Sequence, residues 1–287
     1  MAEQNPNKGP LGQTRQGIYC LTASGKLLAF KNSQEADAVR EMLEQGLAAW
    51  NRLPERERRP GAVKVPNLGK IDRAFTRTPP PGGLILNVFT RILDRKRDGQ
   101  YVRGSCSISG GELPGRDHLW LKRSEWQSLI PPMVKKGDSF DMPSAVADRL
   151  LRYHLVDNTR GEPPFWASKD IRKKHLRWTV LLAEEEDVRL RLEGSVLLAT
   201  DANPAKAKRG YEARLFGYLH YDRVRKVVDR LDVVAVGEHW GEGDFTRGAR
   251  PGRKPLGIAL ELVSGERAAD KIPPQAARNL EDYLGHD

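Results

Sequence analysis

From His175 onward the chain alternates. Leu176, Trp178, Val180 and Leu182 fall on one parity, His175, Arg177, Thr179 and Leu181 on the other. The pattern returns in Val188, Leu190, Leu192, Gly194, Val196 and Leu198, and again in Ala213, Leu215, Gly217, Leu219 and Tyr221. Leu231, Val233 and Ala235 continue it, and 256–263 supplies a fifth run. Period-two patterning joined by short charged turns predicts antiparallel strands with one apolar and one wet face. Several such strands predict a barrel, half-barrel or sandwich. Gly194 and Gly217, inside strands, predict bends or bulges. No repeat of fixed period occurs, which disfavours a propeller or solenoid.

Upstream the texture is mixed. Residues 84–90 (LILNVFT) predict a strand, Asp98-Gly99 a hairpin turn leading to Tyr101-Val102, and 104–115 a Gly/Ser-rich loop. Residues 118–121 predict a short strand, 124–130 a helical turn or two, and 143–155 a helix opened by Pro143. Along that helix Val146, Leu150, Leu151 and His154 share a face. The segment 264–287 is polar, carries Pro273-Pro274, and is expected to pack loosely.

Near the N-terminus, Ile18–Thr22 and Leu27–Phe30 flank a Ser24-Gly25 turn. Asn32-Ser33 can cap a helix over 36–50, where Val39, Met42, Leu43, Leu47 and Trp50 recur at three- and four-residue steps. This unit, "GIYCLTASGKLLAF" followed by a helix, resembles the C-terminal ββα half of a thioredoxin-like domain. It departs from that family in lacking a Cys-x-x-Cys, and 1–16 cannot supply the preceding βαβ unit. The resemblance implies a remnant kept for packing rather than for redox work. The whole chain resembles bacterial proteins in which such a unit precedes a β-rich domain. The fold class expected is therefore α+β: a small ββα unit plus a larger antiparallel barrel, half-barrel or sandwich with a few helices. The expected divisions are a lead-in 1–16, the ββα unit 17–52, a Pro-rich linker 53–82, a domain 83–263 with its meander at 175–263, and the tail 264–287.

Composition narrows the classes. With 39% hydrophobic and 30% charged residues and a mean hydropathy of −0.59, the composition is that of a soluble globular protein. No apolar run approaches the roughly 18 residues of a spanning helix. Cys20 and Cys106 are too few for a disulfide scaffold or a Cys-rich zinc module. Met1–Gly12 has no apolar h-region. Two localisations stay open: cytoplasmic as written, or exported with a signal removed. The net charge of +10 is concentrated in 52–103, where ten Arg and three Lys face five acids. That segment is a candidate for nucleic-acid binding or a solvated connector.

No sequence motif fixes a chemistry, and no cofactor is expected. The densest constellation is 237–253, GEHWGEGDFTRGARPGR. His239, Glu242 and Asp244 could act in metal-assisted or acid–base hydrolysis, while Arg247, Arg250 and Arg253 could clamp a carboxylate or phosphate. The alternative is a structural loop of mutually paired charges, with Trp240 capping the barrel. A second constellation is the corner after the 143–155 helix, where Asp157 and Arg160 precede Pro163-Pro164-Phe165-Trp166. The third is Asp117-His118-Leu119-Trp120. His118, His154 and His239 would form a metal site only if the fold brought them together. The leading expectation is a non-catalytic module that binds a small anionic ligand or a protein partner, with 237–253 lining the barrel mouth. A hydrolase using that loop and a nucleic-acid binder using 52–103 are the alternatives.

Overall fold

A computed structural model describes residues 17–33, 35–62, 77–106 and 111–285. The lead-in 1–16, the linker stretch 63–76, part of the Gly/Ser-rich loop (107–110) and the last two residues lie outside them. The chain forms two compact units, one ending at residue 76 and one beginning at Arg77.

In the first unit, β1 (Ile18–Leu21) and β2 (Leu27–Lys31) form an antiparallel hairpin, followed by α1 (Ala36–Asn51). The Ser33 hydroxyl accepts from the Glu35 N–H, and the helix begins one residue later. Met42 and Gly46 are its buried residues. A Cβ on Gly46 would lie 3.0 Å from the Cys20 Cβ and Sγ, so a larger residue there would force Cys20 to give by a few tenths of an ångström. Leu43 and Leu47, on the apolar side of the sequence pattern, are 50% and 61% exposed. A two-stranded hairpin is too narrow to cover the whole stripe. A single helical turn, α2 (Glu55–Arg58), follows Pro54 within the stretch expected to be irregular.

The second unit is one nine-stranded antiparallel sheet. Its strands are β3 (Leu84–Arg95), β4 (Tyr101–Arg103), β5 (Gly115–Leu121), β6 (Ser139–Asp141), β7 (Ile171–Ala183), β8 (Asp187–Ala199), β9 (Gly210–Asp222), β10 (Val227–Trp240) and β11 (Lys254–Val263). They run in the order β4–β3–β11–β10–β9–β8–β7–β6. Strands β5 and β4 share the other edge of β3, at Leu84–Thr90 and Leu93–Arg95 respectively.

The alternation read from the sequence sorts the faces. Leu176, Trp178, Leu190, Leu192, Leu215, Leu219, Val233 and Ile258 are buried in one apolar cluster. Helices α3 (Arg123–Ser128) and α4 (Ser144–Arg149) pack over that face with Trp126 and Val146. The sheet ends do not pair among the described residues, and neither a closed barrel nor a two-sheet sandwich forms. Gly194 and Gly217 are not bulges: register is unbroken at both, and it shifts instead at Ile171/Lys173, Val180/Leu182 and Val228/Arg230. The two glycines sit where a partner carbonyl lies 2.3–2.4 Å from the position a Cβ would take.

Two departures position the site. First, α4 does not continue as an α-helix to 155. It opens into a π-helical turn, Leu150–His154, closed by the Leu155 N–H to the Leu150 carbonyl at 3.2 Å. The wider turn buries Tyr153 and His154 together. Second, the tail is not loosely packed. After short 3-10 turns at Ala268–Lys271 and Gln275–Asn279 it ends in α5 (Leu280–Leu284). Ala276, Ala277 and Tyr283 form a second apolar cluster with Ile85, Trp120 and Tyr153. Buried Arg149 pairs with buried Glu125 and donates to the Tyr283 carbonyl, capping the end of α5. The Tyr283 hydroxyl accepts from the Trp120 N–H at 3.1 Å.

Candidate functional site

The first two constellations meet one another. Residues 237–240 belong to β10, so the loop proper begins at Gly241. Gly161 (φ 141°) carries the corner past it, with the Phe245 carbonyl 2.2 Å from where a Cβ would stand. Arg160 Nε donates to Asp157 Oδ2 at 2.9 Å, while Nη1 reaches the carbonyls of Thr246 at 2.5 Å and Arg247 at 3.2 Å. Asp157 also accepts from the Thr159 hydroxyl at 2.6 Å. Arg250 donates to the carbonyls of Leu93 and Pro255 and to Asp94. Arg253 bonds Glu212 at 2.7 Å and lies 4.0 Å over the Trp240 ring. Arg160, Arg250 and Arg253 thus hold the loop to the sheet and the corner, and there is no barrel mouth for it to line. Arg247 is exposed.

His239, Glu242 and Asp244 do not converge. His239 is buried at the end of β10, and burial pushes its pKa down to about 4 against the pull of Asp157. Burial also works against the charge of Asp157, but His239, Arg160 and the Thr159 hydrogen bonds outweigh it and keep its pKa below the usual value. Glu242 points outward and accepts from the Ala249 N–H at 3.0 Å, which lowers its pKa. Asp244 is exposed. The three histidines separate likewise: His118 and His154 interact with each other, whereas His239 interacts with Asp157, Arg160, Arg209 and Arg250. Among the described residues no group of three or more His, Cys, Asp or Glu is arranged to hold a metal ion.

The third constellation opens into a cleft. Residues 84–92 of β3 and 115–121 of β5 turn Asn87, Arg116 and His118 to the outer face, with His118 opposite Asn87 in register. The tail, from Arg267 to Arg278, runs over this face and leaves a cleft of about 800 Å³. Its wall is mixed: Ala269, Ile272, Pro273 and Pro274 contribute apolar surface, and among its charged residues are four arginines, Arg77, Arg116, Arg267 and Arg278, against three carboxylates, Asp117, Glu162 and Asp270. Arg278 grips Glu162 through two bonds of 2.6 and 2.7 Å, and Arg267 pairs with Asp270 at 2.8 Å. Arg77 donates to the Arg278 carbonyl at 2.6 Å. Arg116 lies 5.3 Å over the Phe89 ring and has no carboxylate partner among the described residues.

Behind the cleft the chemistry is buried. Asp117 accepts from the Gln275 N–H at 3.0 Å, and its side chain is only 11% exposed. Burial pushes its pKa up to about 6, against two backbone hydrogen bonds. His154 is fully enclosed, and burial, aided by Arg149 and His118, pushes its pKa down to about 3, so the ring is neutral. Its Nε2 lies 2.8 Å from the Tyr283 hydroxyl, whose own ionisation burial suppresses. Among the described residues its Nδ1 has no hydrogen-bond partner, and it faces Asp117 Oδ2 at 3.7 Å. Burial lowers the pKa of His118 as well. The cleft therefore combines the Arg116 guanidinium, amide and imidazole groups, and a carboxyl group that takes up a proton at a pH of about 6.

Of the residues singled out by sequence, Asp117 and His118 line this cleft. Arg116, Asn87 and Gln275 were missed. Arg116 shares the outward parity of His118, two residues away, which was the available signal. What makes the face a cleft is the tail, which returns from more than 150 residues downstream. Compared with family models, with curated proteins and with solved structures, the chain finds no match.

Proposed function

We propose that the protein is a non-catalytic binding module whose antiparallel domain takes a small anionic ligand in the cleft between β3, β5 and the tail. The observation that carries this reading is Arg116. It lines the cleft with no carboxylate partner among the described residues, while Arg267 and Arg278 of the same wall are each paired with a carboxylate. A planar guanidinium with free N–H donors matches a carboxylate or phosphate bidentately. Asn87 and His118 stand beside it on the same face, as side chains able to complete the anion's shell. Four arginines against three carboxylates leave one surplus positive charge, which fits a monoanion.

The alternatives find less support. A hydrolase at 237–253 would need His239, Glu242 and Asp244 on one centre. For nucleic acid, Arg59 and Arg95 of the 52–103 segment already contact Glu55 and Glu238. On the outer sheet face around Phe216 and Tyr218, Arg191 and Arg230 are paired with Glu193 and Asp232.

Titration with acetate and benzoate, followed by amide chemical shifts, tests the reading. Saturable shifts at Asn87, Arg116, His118 and Gln275, with affinity markedly weakened in Arg116→Met, are expected. The Met side chain keeps an apolar contact with Phe89 and removes the charge together with the N–H donors.

A further inference from the structure

A second, smaller cavity of about 340 Å³ adjoins the cleft, and Glu162, Gln275 and Arg278 line both. Its character is different: Tyr153, Phe165, Phe245, Pro163 and Pro164 supply an aromatic and proline surface. Phe165 packs edge-on to Tyr153 at 5.2 Å. Phe245, on the rim, is 76% exposed, a large apolar side chain held in water. It is held there by structure on either side. Buried Thr246 accepts from the Gly243 N–H at 2.9 Å, and Arg160 fixes the carbonyls of Thr246 and Arg247. The Phe245 carbonyl itself rests on Gly161, where any side chain would collide. Arg160 and Asp157 thereby act as positioning residues for an aromatic rim.

Resting on the binding reading above, we infer that the ligand is an amphipathic monocarboxylate, its carboxylate on Arg116 in the polar cleft and its apolar chain in the Tyr153–Phe165–Phe245 cavity. The Glu162–Arg278 pair marks the junction between the two chambers, and its two mutually neutralised charges leave the excess cation at the polar end. A monoanionic head suits the single surplus charge. An apolar chain would cover Phe245 and remove its surface from water.

The experiment is a calorimetric or NMR titration of the full chain with the series acetate, butyrate, hexanoate and octanoate, with octyl phosphate as a comparison head group. Burial of a methylene strengthens binding by about fourfold when complete, so the dissociation constant is expected to fall two- to fourfold per methylene along the series. Phe245→Ser, at an exposed position, is expected to flatten that dependence while acetate binding persists. Arg116→Met is expected to weaken every member by a similar factor and leave the dependence intact. Acetate and octanoate binding equally would overturn the inference while the anion-binding reading stands. Absence of binding by every member would overturn both. Octyl phosphate binding more tightly than octanoate would overturn the assignment of a carboxylate head.

Discussion

Replacing Asp117 by Asn is expected to stabilise the protein, and only above acidic pH. The carboxyl is 11% exposed, and burial raises its pKa from 3.8 to about 6. A carboxyl whose folded pKa is raised favours the native state below its unfolded pKa. That advantage disappears as pH rises through the folded value, because the native state must then hold a charge that water would solvate better. The shift from 3.8 to about 6, at about 1.36 kcal/mol per pH unit, makes the cost of ionised Asp117 on the order of 3 kcal/mol. Asparagine keeps the acceptor for the Gln275 N–H and removes the charge. Urea denaturation of both proteins at pH 8 and pH 4 measures the difference. The variant should be more stable by about 3 kcal/mol at pH 8, and equal to the wild type near pH 4, where protonated Asp117 is itself neutral. A variant that is less stable at pH 8, or a gain of the same size at both pH values, would refute the reasoning.

Further outcomes can be checked alongside. His154 and His239, buried neutral with pKa values of about 3 and about 4, should destabilise the fold as pH falls below 6.5, where the unfolded chain takes up protons they refuse. Between pH 6 and 4 the Asp117 contribution runs the other way, so Asp117→Asn should steepen acid denaturation in a pH-resolved melting series. Arg149→Met, which leaves Glu125 charged and buried, should cost about 3–5 kcal/mol. Much of that should be recovered when Glu125→Gln is added, and hydrogen exchange should report release of the tail in the single variant. Tyr283→Phe removes the partner of the Trp120 N–H and of His154 Nε2, and should cost about 1–3 kcal/mol in chemical denaturation. Carboxylate affinity should rise as pH falls through about 6, where Asp117 takes up a proton and no longer repels the anion; a flat profile would place the ligand elsewhere.

The strands of the meander were legible because each buries one face. Period two survives in Leu176–Trp178–Val180 and in Leu190–Leu192 whatever the neighbouring strands do. The far end of β3 was not, since Arg91, Asp94 and Arg95 blur the alternation after Thr90 and pairing with β4 decides it. An open half-barrel was among the expected forms, but strand patterning shows only which face is buried, so it did not choose between an open sheet, a closed barrel and a sandwich. The tail was misjudged because its anchors are small or few. Ala276, Ala277 and a single Tyr283 carry little hydrophobic signal, yet Tyr283 bonds Trp120 across 163 positions. For the site, sequence found residue types without their partners. Arg160 and Arg250 have the chemistry of an anion clamp, but their donors are occupied by main-chain carbonyls that only the fold brings near. Arg116 drew no attention because its significance lies in what does not pair with it.

The central claim is that the cleft, and Arg116 within it, receives the ligand. The most direct measurement is an amide-resolved titration with octanoate on the wild-type chain and on Arg116→Met. The account predicts saturable shifts at Asn87, Arg116, His118 and Gln275 that extend to Phe165 and Phe245 and need a markedly higher octanoate concentration in the variant. Shifts confined to Arg247 and Arg253, or undiminished in Arg116→Met, would contradict it.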